Sequence, residues 1–171
     1  MKILSPRVHG YIDYAAAVML FLAPTLFGFG GVPATICYVL GALLIKLIFP
    51  IGVTRSISLG TPTLANNVQI GQAIALETVL TFFLVSAVFG TCVNAEAPKV
   101  GGFGVGLVLW FDILVGGPVT GAAMNPARAF GPALVAGQWV AHIVYWVGPL
   151  LGGIVAALLW EYVLLPPRVR G

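Results

Sequence analysis

Long apolar runs follow one another along this sequence with few charged residues between them, and this pattern constrains the fold more than any other feature. A helix needs about 20 mostly apolar residues to cross a bilayer. Charged residues make up only 8% of the chain, whereas a soluble domain carries roughly a quarter. The sequence therefore predicts an all-α, polytopic membrane helix bundle. The apolar runs cover residues 11–29, 32–51, 70–91, 102–119 and 140–165, which gives about five transmembrane helices.

The longest polar stretch, residues 52–69, separates the second apolar run from the third. It predicts a long connecting loop with an internal boundary near residue 55. The two cysteines, Cys37 and Cys92, lie in or beside apolar runs and form no CxxC pair. They are therefore predicted to be small buried side chains.

Enzyme and nucleic-acid functions find no support in the sequence. It contains no phosphate-binding loop, no HExxH or GxSxG motif and no Cys/His metal spacing. We therefore predict no catalytic residue, no metal site and no cofactor. The net charge of +3 comes from few residues without aromatic-flanked basic patches, so no nucleic-acid partner is predicted.

A segment rich in Gly and Pro, residues 118–132, interrupts the apolar pattern after the fourth run. Pro126 suits the first position of a helix, where a backbone N–H would have no partner, and Asn125 then sits at the cap. This helix can extend only to about Leu134, before the turn at residues 137–138, and is too short to cross a bilayer. Non-helical backbone persists at membrane depth only where it lines a cavity or packs within protein. The segment is therefore predicted to be a re-entrant half-helix beside a water-filled path.

The sequence Asn125-Pro126-Ala127-Arg128 resembles the second Asn-Pro-Ala motif of the aquaporin (major intrinsic protein) family. The similarity also includes residues 71–84, 104–117 and 142–149, which resemble the fourth, fifth and sixth helices of that family, and it extends roughly over residues 56–165. This resemblance implies that residues 56–165 form the second-half repeat, which is half of the aquaporin fold. It also implies a channel for passive transport of water, with small neutral solutes passing through some members.

The resemblance assigns roles to single residues. The Asn125 amide would donate a hydrogen bond to water, and Arg128 would narrow the pore. Ile113 and Ala122 would face this arginine and leave a wide, weakly polar constriction, as in plant tonoplast-type channels. Glu77 would accept hydrogen bonds from the re-entrant loop and support it. The implied pore residues are Asn125, Pro126, Ala127, Arg128, Ile113 and Ala122.

Other residues in or beside the apolar runs suggest packing roles. Asp112 is expected to pack laterally against another helix, and His142 is expected to be an interfacial or packing histidine. Small residues recur four apart at Gly148, Gly152 and Ala156. This spacing predicts close approach of helix backbones.

The N-terminal part resembles a different family, the SPW-repeat membrane proteins of bacteria, in Ser5–Tyr14, Ala23–Phe29 and Phe49–Gly52. This resemblance implies that residues 1–55 form a two-helix membrane hairpin fused to the aquaporin-like repeat. Residues 166–171 remain as a short basic tail. The expected location is then a bacterial inner membrane, with several membrane crossings.

Three hypotheses follow for function, because the aquaporin pore lies between two inverted repeats and one repeat cannot enclose it. The first is a channel completed by a second chain, as a homo-oligomer of copies inserted in opposite directions. The second is a non-conducting subunit that associates with other aquaporin chains in the lipid bilayer. The third is an inactive fusion product.

Overall fold

A computed structural model describes residues 32–165 except residues 95, 98, 99 and 101. The first predicted run, residues 11–29, and the predicted basic tail lie outside the described residues. Within the described part every regular element is helical, which confirms the predicted all-α class. The α-helices of this part are α1 (Val32–Ile48), α2 (Ile51–Ser56), α3 (Ile70–Val88), α4 (Gly102–Thr120), α5 (Pro126–Ala136) and α6 (Val144–Leu159).

The chain divides into two compact units, residues 1–61 with 130–138 and residues 62–129 with 139–171. In the first unit, α1 and the second half of α5 approach each other closely. A Cβ at Gly131 would lie 2.6 Å from the Cβ of Tyr38 and 2.8 Å from its carbonyl carbon. Only glycine leaves room for this contact between the two backbones.

The prediction of a loop throughout residues 52–69 is wrong for its first part, which contains α2 and a 3₁₀ turn at Ser58–Gly60. The two hydroxyl side chains of α2 bond to the helix itself. The Thr54 hydroxyl donates to the Ile51 carbonyl at 3.1 Å, and the Ser56 hydroxyl donates to the Val53 carbonyl at 2.8 Å. Such local bonds satisfy hydroxyl groups within a helical turn.

In the second unit, three helical segments are long and apolar enough to cross a membrane: Ile70–Val93, Gly102–Thr120 and Val144–Leu164. The first and last include π-helical turns, Phe89–Val93 and Trp160–Leu164. These segments confirm the predicted membrane helix bundle. In the first unit, α1 is a shorter apolar helix. The prediction that Cys92 is buried is wrong, because its side chain is exposed at the end of the first segment.

Helices α3 and α6 run parallel and pack closely through small residues. A Cβ at Gly148 would lie 2.6 Å from the Cβ of Glu77, and a Cβ at Gly152 would overlap the carbonyl oxygen of Thr78. At the π-helical turns that follow the two helices, the rings of Phe89 and Trp160 stack at a centroid distance of 6.0 Å. The predicted small-residue face of the last helix therefore lies against α3.

Helix α4 returns antiparallel to α3. A Cβ at Gly116 would overlap the side chain of Leu80, whereas a Cβ at Gly104 would meet the Thr91 side chain at 2.8 Å. The residue numbers rise along one helix as they fall along the other. The end of α4 therefore lies beside the first turns of α3.

The distribution of polar and apolar side chains on α4 is the reverse of that on a surface helix of a soluble protein. Its exposed side chains are large and apolar, and include Phe103 at 69% exposure and Val115 at 62%. Its buried stripe holds Val105, Leu109, Asp112, Gly116 and Thr120. A helix with this distribution suits apolar surroundings outside and polar contacts inside.

Candidate functional site

The backbone between α4 and α5 turns sharply at residues 121–124. Gly121, Ala122 and Met124 have left-handed φ values of 82°, 43° and 51°. A Cβ at Gly121 would lie 2.8 Å from the Cα of Pro62, so glycine is needed there for both conformation and space. The left-handed conformation is unfavourable by about 1–2 kcal/mol for each of the other two residues. The surroundings must therefore hold this segment in place.

Glu77 supplies much of that hold from inside α3. Its side chain is 0% exposed. Oε1 accepts hydrogen bonds from the Thr120 hydroxyl at 2.7 Å and from the Ala123 N–H at 3.0 Å. Oε2 accepts from the Met124 N–H at 2.7 Å. One buried carboxylate thus binds two successive backbone amides of the segment 121–124 and the hydroxyl at the end of α4.

The amides of Ala122, Ala123 and Met124 all point toward this polar cluster, because the Ala122 N–H donates to the Thr120 hydroxyl oxygen at 3.2 Å. None of the described peptide bonds is cis, and in a planar trans peptide the carbonyl points opposite to the N–H. The carbonyls of Gly121, Ala122 and Ala123 therefore face away from Glu77. The segment presents them as a row of hydrogen-bond acceptors.

Thr120 and Tyr145 are two members of this site that sequence reasoning did not assign to it. The Tyr145 hydroxyl donates to the Thr120 carbonyl at 2.8 Å, and both residues are 0% exposed. The available signal was the position of Thr120, a hydroxyl residue ending an apolar run directly before Gly121. Its partners on other helices, Glu77 and Tyr145, lie far away in the sequence, so that signal could not identify them.

Asn125 lies at the start of α5, as the cap prediction expected. Its Oδ1 accepts hydrogen bonds from the backbone N–H groups of Ala127 at 2.8 Å and Arg128 at 3.3 Å. With the oxygen directed at the helix, the two N–H donors of the amide point away from it. The positive end of the helix dipole lies at the same place. This end of α5 can therefore donate hydrogen bonds to a neutral polar molecule and disfavours cations.

The remaining predicted pore residues differ in exposure. Ile113 on α4 and the residues Pro126, Ala127 and Arg128 on α5 are partly exposed. The Ala122 side chain is only 2% exposed, and it lies 3.2 Å from where a Cβ at Gly116 would be. The constriction formed by Ile113 and Ala122 stays a prediction. Among the described residues, no group of three or more His, Cys, Asp or Glu side chains could hold a metal ion.

Comparison with known proteins finds a matching family model and several similar proteins. The model of the major intrinsic protein family matches residues 17–160. Aquaporin TIP4-1 of Arabidopsis thaliana is 49% identical over 112 residues, which cover 63% of this chain and 45% of that protein. A probable aquaporin TIP-type of Medicago truncatula is 37% identical over 162 residues, or 91% and 63% of the two chains. Aquaporin-4 of Mus musculus is 36% identical over 132 residues, or 75% and 40%.

These matches can be compared with two predictions, the fusion in the N-terminal part and the location in a bacterial membrane. The chain spans about half the length of the curated relatives it matches. The family match begins at residue 17, inside the segment that resembles SPW-repeat proteins, so the fusion stays a hypothesis. The relatives named above come from plants and a mammal and give no support to the predicted bacterial inner membrane.

Proposed function

The chain belongs to the major intrinsic protein family, and from this membership we propose that it forms part of a membrane channel for passive movement of water. The observation that carries the proposal is the hydrogen bonding of residues 120–125. Glu77 and Thr120 bind three successive amides and turn the opposite carbonyls into a row of acceptors. Asn125 directs donors away from the start of α5 just beyond that row.

A file of acceptors followed by a pair of donors suits water, which both donates and accepts hydrogen bonds. Donors and a positive helix end at one point also hinder cations and proton relay along such a file. Pro126 and Ala127 begin the helix that supports this point, and Arg128 adds a fixed positive charge one turn along. With Ile113 and Ala122 as the facing residues, the constriction is apolar on those sides, which leaves room for small neutral solutes beside water.

The proposed pore needs a second repeat, because residues 1–171 contain one Asn-Pro-Ala sequence and the family pore lies between two. We assign the second repeat to another copy of this chain inserted in the opposite direction. With five crossings, Lys2, Arg7 and Arg55 fall on one side with Lys46 near it, whereas Lys99, Arg168 and Arg170 fall on the other, so the positive charges are nearly balanced. Such a balanced distribution specifies orientation weakly and permits both directions.

The test of conduction is stopped-flow swelling of liposomes that contain only the purified protein. Water permeability should exceed that of empty liposomes by about tenfold, and Asn125→Asp combined with Arg128→Ala should remove the excess. A control with the same asparagine substitution at an exposed position, Asn67→Asp, should leave it unchanged. Wild-type permeability equal to that of empty liposomes would reject the channel built from this chain alone and favour the non-conducting subunit.

The test of antiparallel pairing is thiol labelling of sealed vesicles made from cells that express the Cys37→Ala protein. Its remaining cysteine, Cys92, is exposed. A membrane-impermeant maleimide should label about half of the molecules if both orientations are present. Labelling of all molecules or of none would show one orientation and exclude the antiparallel dimer.

A further inference from the structure

Thr120 joins three separate parts of the second unit through one residue. Its hydroxyl donates to Glu77 on α3 at 2.7 Å and accepts from the Ala122 N–H at 3.2 Å. Its backbone carbonyl accepts from the hydroxyl of Tyr145 on α6 at 2.8 Å. The side chain is completely buried, so water does not replace any of these partners.

Two oxygen atoms lie within reach of the Thr120 hydroxyl proton, and the distances show which of them accepts it. A threonine inside a helix commonly bonds the carbonyl four residues earlier. For Thr120 that carbonyl belongs to Gly116 and lies at 3.4 Å, whereas Glu77 Oε1 lies at 2.7 Å. A hydroxyl has one proton, and the shorter bond to a carboxylate is the stronger. The Thr120 proton is therefore directed at Glu77, and its lone pairs remain for the Ala122 N–H.

We propose that Thr120 is a positioning residue that fixes the first carbonyl of the acceptor row. Its hydroxyl holds the Ala122 N–H, and the planar peptide then directs the Gly121 carbonyl the opposite way. The same hydroxyl keeps Glu77 Oε1 beside the Ala123 N–H. Because Ala122 and Met124 are held in left-handed conformations, loss of this anchor should let the row relax toward other backbone conformations.

Tyr145 gives the arrangement its second anchor. The Tyr145 hydroxyl holds the Thr120 carbonyl, and this bond fixes the peptide that joins Thr120 to Gly121. The Tyr145→Phe variant keeps the ring and removes only this bond. It should therefore loosen the start of the row while leaving the Ala123 and Met124 amides bound to Glu77.

The direct test is amide hydrogen exchange, measured by mass spectrometry on the purified protein in lipid nanodiscs. Thr120→Val keeps the shape and removes the hydroxyl, and should speed exchange in residues 121–125 by about tenfold. Thr120→Ser restores the hydroxyl and should exchange as the wild type does. The matched control is Thr78→Val, because the Thr78 hydroxyl donates to the Ile74 carbonyl of its own helix at 2.7 Å. Exchange in Thr120→Val that equals the wild type, or that rises equally in α3, α4 and α6, would overturn the proposal.

The consequence for permeation rests on the proposed channel function. Thr120→Val should lower water permeability about fivefold or more in the liposome assay, and Thr120→Ser should restore it. A wild-type protein that does not conduct would refute the channel function and leave the exchange measurement to decide the role of Thr120. A conducting protein in which Thr120→Val changes neither exchange nor permeability would refute only the positioning role.

Discussion

Glu77 must accept bonds from three donors with two oxygens at a place where its side chain has no exposed surface. Bonds from amides and a hydroxyl stabilise the carboxylate, and hydrogen bonds to a charged group are stronger than neutral ones. The resemblance to a known family suggested Glu77 as a support of the loop. The identity of its partners required the three-dimensional arrangement, since Thr120 and Met124 lie 43 and 47 residues further along the chain.

Replacement of Glu77 by Gln should destabilise the folded protein by about 2–3 kcal/mol. The glutamine side chain would direct N–H groups at backbone N–H groups and leave at least one buried donor without an acceptor. The measurement is the free energy of unfolding in detergent micelles. Glu96→Gln, which changes an exposed glutamate in the same way, should alter it by less than about 0.5 kcal/mol. Equal effects of the two substitutions would contradict the support role.

Asp112 presents the opposite case to Glu77. It is 6% exposed, and among the described residues its Oδ2 atom has no hydrogen-bond partner. Because a buried unpaired polar group is unfavourable by about 1–3 kcal/mol, Asp112→Leu should increase the free energy of unfolding by a similar amount. A large decrease would reveal that Asp112 pairs with a group outside the described residues, such as one in residues 1–31 or in another chain.

His142 lies outside the membrane-crossing helices, among the rings of Trp139, Tyr145 and Trp146. Burial lowers the pKa of its imidazole below the ordinary 6.5. Below pH 6.5 the unfolded state binds a proton more readily than the folded state, so stability should fall as the pH decreases through and below that value. Thermal unfolding at about pH 7.5 and about pH 5.5 would measure this, and His142→Gln should reduce the difference. An unchanged difference in the variant would assign it to other groups.

At the scale of single elements, apolar periods and breaks predicted most helices but not their ends. The run at residues 70–91 became α3, which begins with a capping box in which the Gln69 N–H donates to Gln72 Oε1 at 3.0 Å. The run at 140–165 begins as helix only at Val144, after a turn in which Ala141 has a φ of 52°. Helix α2 was missed because hydroxyl groups that bond their own helix look like loop residues in a sequence.

Adjacent glycines in α6 offer a matched pair of tests for helix packing. Gly152→Ala should destabilise the protein by about 2–3 kcal/mol, because the new methyl would overlap the Thr78 carbonyl and push α3 away. Gly153→Ala should be neutral or slightly stabilising, by up to about 1 kcal/mol, since its Cβ would meet only the Val85 side chain at 4.0 Å. The measurement is the free energy of unfolding of each variant. Similar values would mean that α3 and α6 are further apart than the structure has them.

At the scale of the whole second unit, the helix directions predict which ends share a membrane side. Helix α3 and helix α6 run parallel, so Cys92 and Leu165 should lie on one side and Gln69 on the other. Because α4 runs antiparallel to α3 and α6 runs parallel to it, α4 ends and α6 begins on the same side. The 11-residue α5 between them is too short to cross a bilayer.

Intact-mass analysis after labelling with an impermeant maleimide tests these directions in sealed vesicles. In a Cys37→Ala background, a protein with Cys92 and Leu165→Cys should carry two labels or none. A protein with Cys92 and Gln69→Cys should carry one label. This pattern holds for either orientation of the chain and for a mixture, and two labels on the second protein would contradict it.

The hydrogen bond between Thr120 and Tyr145 also sets the order in which the bonds of this segment can form during synthesis. The two residues are 25 positions apart, and all of α5 is synthesised between them. The ribosome therefore synthesises all of α5 before it adds Tyr145, whose hydroxyl fixes the peptide before Gly121. Residues 121–124 therefore acquire their full set of bonds only once α6 lies beside α3, so a helix made later completes the bonding of the backbone made before it.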